Sequence, residues 1–286
     1  MIRCAERATM PMRQMTRLDI PAGMQLKEIA NWNQTAADWD LFLSANPQGC
    51  FVSEVDGHVV GTVTTIIYED RFAWIGMVLV DPEFRNRGIG RALLQLAIEH
   101  LDSRSISCIK LDATPQGRPV YEKLGFVDEY EIERWRLERQ AVQTKLGAAV
   151  PDLEEVLGLD RKVFGADRSA LLQALAGLAP EFVQVSVERE GVVGYSLGRH
   201  GSHSDHLGPW VAHDEGGAEQ MLDTFLARSG RESIVVDCLK SNPWARGALE
   251  SRGFRFTRPL TRMRRGGNMH SGRPEVVCGI LGPEFG

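Results

Sequence analysis

Residues 73–94, AWIGMVLVDPEFRNRGIGRALL, restrict the architecture more than any other part of the chain. Residues 73–80 are an apolar run rich in β-branched and bulky side chains, the pattern of a buried strand. Asp81-Pro82 ends the run. Arg85-Asn86-Arg87-Gly88-Ile89-Gly90 follows as a basic, glycine-rich turn, and behind it Ala92, Leu93, Leu94, Leu96 and Ala97 recur at helical spacing. The predicted unit is a strand, a basic loop and a helix N-terminus. Such a unit cradles anions. The first amides of a helix have no intrahelical partner, and the aligned peptide dipoles add partial positive charge. Gly88 and Gly90 allow close backbone approach, and Arg85, Arg87 and Arg91 add full charges. A phosphate or pyrophosphate is the expected guest. Two common phosphate loops are excluded. Leu93 stands where the third glycine of a dinucleotide fingerprint belongs, and no Gly-Lys-Ser/Thr follows a glycine-rich loop.

The pattern R-x-x-G-x-G after a strand resembles the acetyl-CoA loop of the GNAT N-acyltransferase superfamily, with Arg85, Gly88 and Gly90 at the matching positions. Residues 109–126, IKLDATPQGRPVYEKLGF, resemble the other half of the same signature. A strand carrying Leu111-Asp112-Ala113 is followed by a short helix and Tyr121-Glu122-Lys123-Leu124-Gly125-Phe126. Thr114 stands where the family often has Asn. The resemblance implies an α/β (α+β) fold whose mixed, mainly antiparallel twisted sheet is flanked by helices. It further implies acetyl-CoA as cosubstrate, and CoA contacts from Met77, Val78, Leu79, Val80, Arg85, Asn86, Arg87, Gly88, Ile89, Gly90, Arg91, Thr114 and Tyr121.

In chain order, residues 12–20 read as a first strand closed by Pro21-Ala22-Gly23, and residues 25–32 as a short helix. Thr35 caps a second helix over residues 36–44, with Asp38 in its first turn. Residues 50–55 and 59–68 form a hairpin across Asp56-Gly57. After the central strand and its helix come a strand at 108–113, the Tyr121 helix and a strand at 127–137. Residues 1–11 read as a disordered leader, 12–140 as a catalytic domain and 141–155 as a linker. Residues 156–286 then repeat the first half faintly, as a second GNAT-like fold. Val192-Val193-Gly194 echoes Val59-Val60-Gly61, Ile234-Val235-Val236-Asp237-Cys238 echoes residues 109–113, and residues 249–254 echo residues 121–126. The second cradle is degraded. Ala212-His213-Asp214-Glu215-Gly216-Gly217 carries two acids and no arginine, and Leu249 replaces the tyrosine, so this half is expected to bind CoA weakly or not at all.

The remaining features narrow the function. The net charge of −5 argues against a general nucleic-acid binder and favours a cationic acceptor. The five cysteines are scattered without a CxxC pair, which points to reduced thiols in a cytoplasmic protein rather than to disulfides or zinc. No apolar run approaches the ~20 residues of a membrane span. His203, Asp205 and His206 read as a solvated loop, so no metal is expected. The run 258–265, RPLTRMRR, reads as an exposed strand face.

Transfer to an amine needs a held thioester, a neutral amine and a proton for the departing thiolate. Tyr121 is the candidate general acid, because its position matches the family's tyrosine. Many relatives carry a Glu base on the central strand, whereas Phe72-Ala73-Trp74-Ile75-Gly76 has no acid. Glu54, Asp112 or a water chain are the candidates instead. Trp32, Asn33 and Gln34 are candidate acceptor-pocket residues. The expected function is direct N-acetylation of a primary amine by a monomer or homodimer, the acceptor being a small molecule or peptide. The alternative is a non-catalytic acyl-CoA-binding regulator whose second half binds a partner.

Overall fold

The computed structural model describes residues 11–142, 152–189 and 191–286. Residues 1–10 of the expected leader over 1–11 and most of the expected linker lie outside the described residues. The chain divides into two compact units, residues 1–66 with 77–104, and residues 67–76 with 105–286.

The first unit holds β1 (Met12–Gln14), α1 (Ile20–Ile29), α2 (Ala36–Ala45), β2 (Phe51–Val55), most of β3 (His58–Tyr68), the end of β4 (Phe72–Val80) and α3 (Ile89–Ser103). β1, β2 and β3 pair antiparallel in that order. The expected strand over residues 12–20 is only three residues long. A capping box between Thr16 and Asp19 starts a helical turn there, and Pro21 stands in the first turn of α1 instead of closing a strand. Proline suits that position, since its missing N–H would have no partner anyway. Gly23 lies inside α1 where a Cβ would come 3.0 Å from the Trp39 ring of α2, so packing favours glycine there. α2 opens on the expected Thr35 cap, with Asp38 completing a capping box. The β2–β3 hairpin turns through Asp56 and Gly57, both at positive φ, as a type I′ turn requires. α3 buries Ile89, Leu93, Leu94, Ala97, Ile98 and Leu101, and its approach to the hairpin leaves Leu93 3.0 Å from where a Gly61 Cβ would stand.

The second unit holds the start of β4, β5 (Cys108–Ala113), α4 (Arg118–Glu122), β6 (Val127–Glu138), α5 (Glu154–Phe164), α6 (Ser169–Leu178), β7 (Gln184–Glu188), β8 (Gly191–His200), β9 (Asp205–Val211), α7 (Glu215–Arg228), β10 (Ser233–Leu239), α8 (Pro243–Ser251), β11 (Arg255–Gly266) and β12 (Val277–Gly279). The strand order is β4-β5-β11-β6-β10-β12-β9-β8-β7. β4–β5 and β9–β10 are parallel pairs and the rest are antiparallel. α7 and α8 cover a core of Trp135, Phe182, Trp210, Leu222, Phe225, Val236 and Phe254.

The strand order changes the expected domain picture. Two long strands, one from each sequence half, are exchanged: β11 lies between β5 and β6, and β6 lies between β11 and β10. The first half therefore does not close on itself at residue 140. α5 also begins inside the expected linker, at Glu154. The basic run 258–265 is not an exposed face, because it sits in the central strand β11, where Arg262 is 5% exposed. Arg262 donates to both oxygens of Asp112, at 2.8 Å each, and to the Tyr130 hydroxyl at 2.6 Å. Arg134 of β6 makes the equivalent pair with Asp237 of β10, with both contacts at 2.7 Å. Removing one member of a buried ion pair leaves an uncompensated charge. Arg262→Met should therefore cost about 3–5 kcal/mol, read by urea unfolding, while Arg262→Met with Asp112→Leu should recover most of that loss. A loss below ~1 kcal/mol in the single variant would show that the pair does not hold β11 in place.

Candidate active site

The anion cradle is built within the first unit. Asn86 (φ 63) and Gly88 (φ 85) both take the left-handed conformation ahead of α3. Gly88 is the N-cap of α3 and supplies no side-chain acceptor, so the first amides of the helix stay available to a ligand. Nothing lies within 4 Å of a Cβ built on Gly88. Its φ, not crowding, demands glycine. Gly90 answers to packing, since a Cβ there would meet Val80 Cγ2 at 3.3 Å. Arg85 Nε donates to the Val80 carbonyl at 3.1 Å, and an Arg87 guanidinium N–H donates to the Glu83 carbonyl at 2.9 Å. These bonds orient the two guanidiniums without spending their charge. Among the described residues Arg85, Arg87 and Arg91 are exposed and none is ion-paired.

β4 leads into this loop. It pairs with β5 at Ala73↔Ile109 and Trp74↔Lys110, and the register ends there. Met77 sits in mid-strand with φ 50 and is 2% exposed. A buried non-glycine residue in that region costs of order 1–3 kcal/mol and marks a backbone held for a purpose. Thr62 Oγ1 donates to the Met77 carbonyl at 2.8 Å and fixes the irregularity. Met77, Val78, Leu79 and Val80 therefore follow directly on the break in pairing.

Tyr121 lies on α4 in the second unit. Its ring rests on Gly117, where a Cβ would come within 2.9 Å of it, and packs edge-on against Phe126 at 6.1 Å. Thr114 Oγ1 accepts from the Gly117 amide at 3.2 Å and so shapes the turn that presents Tyr121. The hydroxyl has no hydrogen-bond partner among the described residues. Burial pushes it up to about 12.

The two candidate bases are engaged elsewhere. Glu54 accepts from Arg13 at 2.6 Å. The Asp112 side chain is 0% exposed and bidentate with Arg262. Burial pushes its carboxyl up and Arg262 opposes the shift. A carboxylate shut away from water and held at both oxygens, as Asp112 is, is a poor proton acceptor, whereas Glu54 is partly exposed and held through one oxygen. Of the candidate acceptor residues, Trp32 and Asn33 are half-buried and Gln34 is buried. Lys27 Nζ donates to the Trp32 carbonyl at 3.4 Å, which ties this loop to α1.

The second half carries the same parts in a closed state. Asp214 caps α7, accepting from the Gly217 amide at 2.7 Å, so a side chain of the protein takes the place of an outside anion. β9 and β10 pair in parallel through Ile234↔Asp205, Val235↔His206 and Val236↔Leu207. Where they part, β12 enters and pairs with both, at Cys238↔Gly279 and at Val277↔Val211. Asp214 was visible in the sequence as an acidic loop. Residues 275–280 read as a last strand that finishes this sheet, and β12 forms within them; its place between β9 and β10 was not readable, because pairing partners leave no mark in the local sequence. Asp205 and His206 of the expected loop belong instead to buried strand β9, where Asp205 accepts from Ser229 Oγ at 2.7 Å.

Comparison with known proteins bears on both halves. The model of the Acetyltransferase (GNAT) family matches residues 14–126, and an Acetyltransferase (GNAT) domain model matches residues 156–279. The chain is 27% identical to the holothin acyltransferase of a Pseudoalteromonas species, over 86% of this chain and 87% of that protein. It is 27% identical to the uncharacterized N-acetyltransferase YitH of Bacillus subtilis, over 70% and 72%. A putative acetyltransferase from Pyrococcus horikoshii has the same fold, with a TM-score of 0.80 at 24% identity, covering 98% of this chain and 96% of that one. A GCN5-related N-acetyltransferase from Sphaerobacter thermophilus superposes with a TM-score of 0.65 at 16% identity, over 91% and 96%. With GNAT models matching both halves and acyltransferases among its relatives, the chain belongs to the GNAT family, as an acyltransferase with two GNAT domains in tandem.

Proposed function

We propose that the protein transfers an acetyl group from acetyl-CoA to a primary amine by direct attack, with acetyl-CoA bound by its first half. The observation that carries this reading is the contrast between two helix N-termini. That of α3 is uncapped and flanked by three unpaired arginines, whereas that of α7 is capped by Asp214. The first suits a pyrophosphate and the second repels one. The pantetheine arm would pair with the edge of β4 over residues 77–80 by strand addition, and its amides would polarise the thioester carbonyl. Tyr121 would then protonate the departing thiolate, a transfer that is uphill at the ordinary values of ~10 for a phenol and ~8.5 for a thiol and is drawn forward by the C–S cleavage it accompanies.

Loss of the cradle should weaken CoA binding. Arg87→Glu or Gly88→Asp should raise Kd by more than about tenfold, or ~1.4 kcal/mol, with unchanged affinity in calorimetry counting against the assignment. Titration of the intact protein should give one CoA per chain, and two sites of similar affinity would contradict the closed second slot.

Tyr121→Phe keeps the ring and its contact with Phe126, so the fold should survive. With a true acceptor, kcat should fall about tenfold to a thousandfold and CoA affinity should hardly change, because the lost interaction belongs to the transition state. With the hydroxyl held up to about 12, Tyr121 stays protonated through alkaline assay conditions. The ratio of wild-type to Tyr121→Phe rates should therefore stay level from about pH 7 to about pH 10. An unchanged kcat would remove the general-acid role.

A further inference from the structure

Thr62 of β3 is fully buried, in a strand whose other buried positions include Val60, Val63 and Ile66. Burial within a strand favours valine over threonine, because a buried hydroxyl costs free energy unless it finds a partner. Thr62 has one. Its Oγ1 donates to the Met77 carbonyl of β4 at 2.8 Å. Met77 is the buried mid-strand residue at φ 50. The hydroxyl thus grips β4 at the residue that departs from extended geometry.

That grip sets the direction of the next amide. The Met77 carbonyl and the Val78 N–H belong to one planar, trans peptide, so they point in opposite directions. With the carbonyl drawn to Thr62, the Val78 N–H points away from β3. The end of the strand agrees. The Asp81 amide donates to the Val60 carbonyl at 2.9 Å. Backbone groups alternate between the two edges of a strand, so residues 79 and 81 address β3 and residues 78 and 80 address the other edge. The Val80 carbonyl accordingly accepts from Arg85 in the basic loop. On that other edge the pairing of β4 with β5 stops at Trp74.

Resting on the acetyl-CoA reading above, we propose that Thr62 is a positioning residue for acyl transfer. Its hydroxyl locks the Met77–Val78 peptide so that the Val78 N–H donates to the thioester carbonyl of acetyl-CoA. As the amine adds to the carbonyl carbon, the C=O π pair moves onto oxygen, where the N–H stabilises it. The pair re-forms C=O as the C–S bond breaks and its electrons leave with sulfur. The amine's proton goes to solvent, the thiolate takes the Tyr121 proton, which solvent returns, and the Val78 amide gives up none. A donor fixed in advance needs no reorganisation at the moment of reaction. Without its anchor the Met77–Val78 peptide can rotate to relieve the positive φ.

The test uses the intact protein and needs no acceptor. The probe is acetyl-CoA isotopically labelled at the thioester carbonyl, and infrared difference spectra against unlabelled acetyl-CoA isolate that one group. Acetyl-CoA is first titrated by calorimetry; failure to bind the wild type would overturn the acetyl-CoA reading itself. In the bound wild type the carbonyl band should lie below its position in free acetyl-CoA, because a donated hydrogen bond weakens C=O. Thr62→Val and Thr62→Ala should each return the band most of the way to the free position. Thr62→Ser, which keeps the hydroxyl, should leave it where the wild type has it. Alanine sets no methyl against the Met77 carbonyl, so the readout survives a valine variant that fails to fold. CoA, which lacks the thioester, should bind wild type and variants within about twofold. A purely structural role for Thr62 predicts lower melting temperatures in the valine and alanine variants with the band of bound acetyl-CoA unmoved. That unmoved band would overturn the proposal. So would equal loss of the shift in Thr62→Ser, or an unshifted band in the wild type.

Discussion

Two buried ion pairs hold the second unit in register. Asp112 of β5 is gripped by Arg262 of β11, and Asp237 of β10 by Arg134 of β6. The aspartates occupy matching positions in the two sequence halves. Each takes its arginine from the exchanged strand of the other half, and in both pairs the partners face each other across the ladder. Desolvating four charges is expensive, and such pairs contribute little net stability compared with apolar replacements. Their contribution is to specificity. A one-residue slip of β11 would set Thr261 or Met263 opposite Asp112 and strand both charges. The exchange of strands is thereby tied to a single alignment.

From that frame the two halves diverge. The β9–β10 opening is filled by β12, and the amides of α7 are taken by Asp214. A strand entering an opening between parallel neighbours satisfies the same backbone groups that an extended ligand would satisfy. The second half thus shows what occupation looks like, with the protein's own chain as the occupant. In the first unit the α3 amides have no such internal cap, and the arginines of the loop have no carboxylate partners among the described residues.

Much of this was readable before the structure. The cradle, the Thr35 cap, the Asp56-Gly57 hairpin and the Tyr121 helix are local features, each decided by a few adjacent residues, and all of them form as expected. What escaped notice depends on distant partners. Arg262 looked like part of a solvated basic face because its acceptor, Asp112, is far away in sequence. Pro21 looked like a strand terminator because the Thr16–Asp19 capping box turns the chain into a helix sooner than the apolar pattern suggests. Strand exchange leaves no local mark, since β11 would show the same alternation whichever neighbours it joined.

The missing acid on β4 follows from the same long-range packing. Leu281 through Gly286 fold back onto β4 and the end of β3: Trp74 Nε1 donates to the Pro283 carbonyl at 2.9 Å, and the Tyr68 hydroxyl donates to the Phe285 carbonyl at 2.8 Å. Between those anchors the Glu284 carbonyl passes 2.8 Å from where a Gly76 Cβ would stand. No side chain, and so no carboxylate, fits at residue 76 without moving that backbone. α5 adds Phe164, whose ring packs against Phe72. Residues of the second half thus pack directly on the face of β4 that carries Phe72 and Trp74. The Glu284 backbone leaves β4 no room at residue 76 for a carboxylate.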